Sequence, residues 1–133
     1  MLAALDAYTV IAKNHPWSGV FDETSFRACL YEDASWSQEE YWKVEWALFQ
    51  LVAVADQDVE LRSRVFRLFS ATASLFTAHF NPNDVFFIQN LPTEKLYGVM
   101  ERFELVFGGF FAGEMPDLAE SFDERNPLLR AGS

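Results

Sequence analysis

The stretch SWSQEEYWKVEWALFQL, residues 35–51, carries three tryptophans and four charged side chains, three of them acidic. At 100° per residue, polar side chains occupy only the sector around Glu39, Lys43 and Gln50, and apolar side chains cover nearly all the rest. A helix that is apolar almost all round is buried at the centre of a fold. We therefore expect this segment to be the central helix of an all-α protein, with most of its rings in the core.

Flanking residues mark the start of this helix. Ser37 and Glu40 form the capping-box pattern, and Trp36 and Tyr41 have the spacing of a hydrophobic staple. The helix is therefore predicted to begin at Gln38. It should run to about residue 55, where a polar DQD sequence interrupts the apolar pattern.

The remaining sequence predicts a single helical domain over residues 1–133, a bundle of five to six helices. A long helix over about 59–79, ended by Pro82, should be an antiparallel neighbour of the central helix. Thr93 should open another helix, because apolar residues recur after it at three- and four-residue spacing. Shorter helices are expected at about 2–13, 22–31, 84–90 and 117–124.

The net charge of −10 is unevenly distributed along the chain. Residues 1–60 carry eleven acids and three bases, whereas residues 61–100 carry two acids and four bases. An acidic protein repels nucleic acid and anionic lipid, and it speeds the encounter with a basic partner. We therefore expect a basic protein partner and no binding to nucleic acid or membrane. The oligomeric state stays open.

Cys29 is the only cysteine, so the chain forms no internal disulfide. The first residues lack the order of charges and apolar residues found in a signal peptide, and the longest uncharged apolar run, residues 47–55, is too short to span a bilayer. These features predict a cytoplasmic protein.

Catalytic and metal-binding signatures are weak. Cys29, His15 and His79 lie in no recognisable nucleophile motif, and neither histidine has a glutamate three residues before it, as a di-iron bundle requires. Four soft ligands for structural zinc are lacking. The DQDVE sequence at 56–60 starts like a calcium loop, but Leu61 stands where glycine is required. We expect no enzyme activity, no catalytic residue, no metal and no cofactor.

Two charged residues are predicted to be buried. Glu45 projects into an apolar sector of the central helix, and Arg62 into an apolar sector of the next one. In an antiparallel hairpin their heights would differ by about 9 Å at 1.5 Å per residue, a distance that a side chain or water could bridge. A buried charge needs a partner. Glu45 is therefore either a paired structural carboxylate or the floor of a cleft for a basic group, and Arg62 has the same alternatives.

Aromatic and acidic residues alternate in the first third of the chain. Aromatic anchors surrounded by charge of one sign are typical of tight protein interfaces, in which the rings supply buried area and the charges select the partner. The predicted partner-binding residues are Trp17, Asp22, Glu23, Glu32, Asp33, Trp36, Glu39 and Glu40.

With its PWSG, SW and EYWKVEWAL segments, the chain resembles the small acidic all-helical immunity proteins of bacterial polymorphic-toxin and contact-dependent inhibition systems. The resemblance implies an antitoxin that covers the substrate-binding face of a basic toxin domain, such as a nuclease, without turnover or cofactor. It transfers no individual functional residue. The alternative is a non-enzymatic helical adaptor or regulatory module that docks through its Phe-rich helices.

Overall fold

A computed structural model describes residues 6–129, which contain helices, turns and loops but no β-strand. The all-α class is thus confirmed. The α-helices are α1 Ala7–Lys13, α2 Phe26–Asp33, α3 Gln38–Leu51, α4 Val59–Phe80, α5 Thr93–Ala112 and α6 Leu118–Ser121, with 3₁₀ turns at Val52–Gln57 and Pro127–Leu129. Residues 2–5 of the predicted first helix lie outside the described residues.

Helix α3 begins as its flanking residues predict. The Ser37 hydroxyl accepts a hydrogen bond from the Glu40 N–H at 3.2 Å, and the Trp36 and Tyr41 rings lie 5.2 Å apart between centroids. The Glu40 carboxylate does not return to the cap but accepts a hydrogen bond from Lys43 at 2.9 Å. The predicted end near residue 55 falls in the 3₁₀ turn, because the backbone tightens after Leu51.

Helix α3 is the central element. Eight of its fourteen residues are buried, α1 packs along it, and α5 and the second 3₁₀ turn also contact it. Helix α4 returns in the opposite direction, since Trp36 just before α3 stacks on Phe76 late in α4 at 6.1 Å. The main contacts of α4 are with the preceding 3₁₀ turn and with α1, α2 and α5.

Phenylalanine rings join α4 to α5. Phe69 stacks on Phe103 at 5.6 Å, Phe76 meets Phe103 edge-on at 5.4 Å, and Phe103 lies 4.3 Å from Phe107. These rings belong to one hydrophobic core that also includes buried residues of α1, α2 and α3.

The helix predicted at 84–90 is wrong, since this segment is an irregular loop. Two of its backbone N–H groups bond to more distant parts of the chain. The Ile88 N–H donates to His79 Nδ1 at 3.0 Å, and the Gln89 N–H donates to the Ala34 carbonyl at 2.8 Å. Tertiary partners thus replace the local bonds that a helix would need.

The short helices differ from prediction at their ends. Helix α2 is capped by Ser25 rather than Asp22, whose carboxylate instead closes a turn with the Thr24 N–H at 2.8 Å. Asp117 caps α6, which extends only to Ser121. No helix within residues 6–129 is both long enough and apolar enough to cross a membrane.

Candidate functional site

Six carboxylates flank helix α2. Two precede it, two lie in its last turn, and two lie in the first turn of α3; we call them the acidic face, comprising Asp22, Glu23, Glu32, Asp33, Glu39 and Glu40. Three of these carboxylates act on the thiol of Cys29 in α2. Burial, and then the charges of Asp33, Glu40 and Asp22, raise the pKa of Cys29. Asp22, Asp33 and Glu40, which come from three segments of the chain, therefore act on the same thiol.

Only part of the acidic face is neutralised. Glu40 pairs with Lys43 at 2.9 Å, and Asp22 lies 4.0 Å from Lys13. Hydrogen bonds from the Thr24 N–H and hydroxyl lower the pKa of Asp22. The other four carboxylates are exposed and have no cationic partner within the described part of the chain: Glu23, Glu32, Asp33 and Glu39.

Trp36, predicted to contact a partner, is a core residue. Its ring is 5% exposed and packs on Phe26 at 5.0 Å and on Tyr41. Its backbone N–H and carbonyl both bond to the side chain of Asn90, at 2.7 and 2.8 Å. The staple that fixes the start of α3 uses the same ring, so this ring is not available to a partner.

Trp17 lies at the border of the acidic face. Its side chain is 74% exposed, and with Tyr31 and Glu32 it lines an open cleft of about 270 Å³. Its other neighbours are basic, because His15 meets its ring at 5.8 Å and the Arg67 guanidinium lies 6.0 Å from it. Arg27 also lines the cleft, so Trp17 lies where one acidic side chain meets several basic ones.

Glu45 lies at the centre of the fold and is fully buried. Arg102 of α5 binds it with two hydrogen bonds, from Nε to Oε1 at 2.8 Å and from Nη2 to Oε2 at 2.9 Å. Burial acts to lower the pKa of Arg102, but the hydrogen bonds and charge of Glu45 outweigh it and raise that pKa. The pair is bidentate, the strongest geometry for these two groups.

The C-terminal segment completes this network. Asn126 donates from Nδ2 to Glu45 Oε2 and to the Trp42 carbonyl, both at 3.0 Å. Arg102 also donates to the Glu124 carbonyl at 2.6 Å, and its guanidinium lies 4.7 Å from the Trp42 ring and 5.3 Å from the Phe122 ring. Glu45 therefore has several partners, and this arrangement corresponds to the structural alternative.

Arg62 is not a buried residue and does not pair with Glu45. It is partly exposed in the first turns of α4, where its Nη1 donates to the Asp56 carbonyl at 3.4 Å. The prediction failed because the part of this sector next to Arg62 is at the surface, where Phe66 is 57% exposed.

The sequence offered a signal for Arg102 but not for Asn126. Arg102 interrupts an apolar sector of α5 between Val99 and Val106, the same pattern that marked Glu45. Asn126 lies in an irregular segment without periodicity, so its position depends on the folded chain.

Tyr41 lies beside the buried pair. Its hydroxyl is buried without a hydrogen-bond partner. Burial, and then the charge of Glu45, raise the pKa of Tyr41 well above its usual value. Within residues 6–129, no group of three or more His, Cys, Asp or Glu side chains is placed to hold a metal ion.

No protein-family model matches the chain, and no significant match is found among curated proteins or solved structures.

Proposed function

We propose that this protein is a cytoplasmic immunity protein that binds a basic toxin domain, such as a nuclease, through the acidic face. Inhibition is stoichiometric, because the bound protein covers the toxin's substrate-binding surface. Neither turnover nor a cofactor is required.

The observation that carries this proposal is the set of four exposed carboxylates without cationic partners beside the 64% exposed ring of Tyr31. Close charge pairs across an interface speed association and select the partner, while an aromatic ring contributes buried area. Tyr31 and Trp17 take the anchoring role that Trp36 cannot fill, since both also line the cleft beside Glu32.

A capture and rescue experiment tests this function. The tagged chain is used at low salt to capture partners from the organism that encodes it, and each captured protein is identified by mass spectrometry. We expect a basic protein whose expression is toxic and whose toxicity is relieved by co-expression of this chain. A Glu32→Lys/Asp33→Lys variant should rescue poorly, whereas Glu114→Lys/Glu120→Lys, on exposed residues elsewhere, should rescue fully. Rescue that is equal for both variants would refute docking through the acidic face.

A specific surface favours the alternative, a non-enzymatic adaptor. Two aromatic pairs are exposed along α4 and α5, Phe66 with Phe111 at 6.4 Å and Phe80 with Tyr97 at 5.5 Å. Clustered exposed rings are typical of docking surfaces. If the adaptor function holds, Phe66→Ser and Tyr97→Ser abolish capture of the partner, and the acidic-face reversals leave it unchanged.

A further inference from the structure

Basic and aromatic side chains line a cleft on the side of Trp17 away from the acidic face. Arg64 and Arg67 of α4 face His15 and Trp17 of the α1–α2 loop across an open cleft of about 460 Å³, and Ser63 and Glu60 complete its wall. A positively charged cleft is unexpected on a chain of net charge −10.

The cations in this cleft are weakly neutralised. Arg64 lies 3.8 Å from Glu60, whose side chain is 80% exposed, and such exposed pairs contribute little. Arg67 lies over the Trp17 ring rather than against a carboxylate. Burial, followed by the charges of Arg64, Arg67 and Arg27, lowers the pKa of His15. Cations from α2 and α4 therefore act on one imidazole, and a bound anion would relieve their mutual repulsion.

The clefts near Arg102 do not offer weakly neutralised cations. Arg102 lines two of them, but its guanidinium is already bound by Glu45 and by the Glu124 carbonyl. Arg64 and Arg67, in contrast, direct charge toward solvent beside a flat and exposed ring.

We propose that the cleft lined by His15, Trp17, Arg64 and Arg67 binds a small ligand that combines a phosphate group with a flat ring, most simply a nucleoside phosphate. The two guanidinium groups hold the phosphate, because their planar forks match its oxygens. The Trp17 ring stacks on the base, an interaction that tolerates any base. The Ser63 hydroxyl supplies a further donor at the wall. This site shares the Trp17 ring with the cleft beside Glu32, but its two arginines lie outside the acidic face.

Trp17 also provides the signal for a test. Trp36, Trp42 and Trp46 are buried, at 5%, 8% and 7% exposure, so quenching by an added ligand reports on Trp17. ADP, adenosine and pyrophosphate are titrated separately into the full chain, and tryptophan fluorescence and isothermal calorimetry are recorded. We expect saturable quenching by ADP, with adenosine and pyrophosphate each binding at least about tenfold more weakly, because each lacks one half of the recognised chemistry.

Substitutions distinguish binding in this cleft from a general effect of positive charge. Arg64→Ala/Arg67→Ala should weaken ADP binding by at least about a hundredfold in calorimetry. Arg62→Ala is the matched control, since it removes an arginine of the same helix outside the cleft and should leave binding unchanged. Trp17→Ala should reduce ADP binding to the level of pyrophosphate.

Three results would overturn the proposal. The first is no saturable ADP binding in the millimolar range. The second is ADP binding that the Arg64→Ala/Arg67→Ala variant retains. The third is pyrophosphate binding as tight as that of ADP, which would eliminate the stacking role of Trp17.

Discussion

Arg102 in α5 and Glu45 in α3 bind each other through two parallel hydrogen bonds of 2.8 and 2.9 Å, and Glu45 is wholly enclosed by protein. The pair fixes how α5 lies against the central helix. Removal of one member leaves an uncompensated charge inside the fold, which is far more destabilising than removal of both.

A double-mutant cycle measures this coupling. Arg102→Met should lower the free energy of unfolding by about 3–5 kcal/mol, because the Glu45 carboxylate loses its charged partner. Glu45→Leu/Arg102→Met should recover much of that loss, since no charge remains buried. Chemical denaturation of the four proteins gives the coupling energy. Additive effects of the two single substitutions would contradict the assigned pairing.

Substitution of Asn126 should destabilise the fold, because its side chain bonds to Glu45 and to the Trp42 carbonyl. Asn126→Asp replaces the amide donor 3.0 Å from Glu45 Oε2 with a second acid, so it should destabilise more than Asn126→Ala, for which we expect about 1–3 kcal/mol. The exposed neighbour Arg125 is the control, and Arg125→Ala should change stability by less than about 0.5 kcal/mol. Thermal unfolding ranks the three variants, and an aspartate better tolerated than alanine would be inconsistent with this network.

Adjacent glycines in α5 should respond in opposite directions. A Cβ on Gly109 would lie 2.8 Å from Pro116 Cδ and 2.9 Å from the Glu114 carbonyl oxygen, so Gly109→Ala should destabilise by about 1–3 kcal/mol. A Cβ on Gly108 meets no atom within 4 Å, so Gly108→Ala should stabilise by about 0.5–1 kcal/mol through helix propensity. The denaturation midpoints of the two variants are compared with that of the wild-type chain. Equal changes in stability for both variants would mean that the 113–117 turn does not pack on Gly109.

The elements that sequence reasoning placed correctly are those with local signals. Ser37, Trp36 and Tyr41 fixed the start of α3, and the apolar repeat after Thr93 fixed α5. Sequence reasoning failed where distant partners decide the outcome. Pairing of the 84–90 segment with His79 and Ala34, and of Asn126 with α3, depends on contacts that no local pattern encodes.

The predicted partner-binding and buried residues also include errors that local sequence patterns could not avoid. The alternation of acids and rings does not indicate which rings are buried, so it predicts an exposed Trp36, whereas the hydrophobic staple places this ring in the core. The helical projection placed Glu45 correctly because α3 is covered on nearly all sides. It misplaced Arg62 because α4 exposes the sector that contains Phe66.

His15 should make stability depend on pH. Its pKa is lowered in the folded chain from the ordinary 6.5, so the unfolded chain binds the proton more readily. The contribution is therefore fully favourable above about pH 6.5 and is lost as the pH falls toward the folded pKa. Relative to His15→Gln, the wild-type chain should lose stability as the pH falls below about 6.5. Urea unfolding gives the free energy of unfolding of the wild-type chain and of His15→Gln at each pH. Parallel pH profiles of the two proteins would contradict the lowered pKa.

The most direct measurement for the central claim is the dissociation constant of the captured basic partner as a function of salt. Wild-type chain, Glu32→Lys/Asp33→Lys and the remote control Glu114→Lys/Glu120→Lys are compared at low and at physiological ionic strength. Docking through the acidic face predicts that wild-type binding weakens with salt, that reversal of Glu32 and Asp33 weakens it at least about tenfold, and that the remote reversal has little effect. Binding that is insensitive to salt and equal for all three proteins would contradict the account.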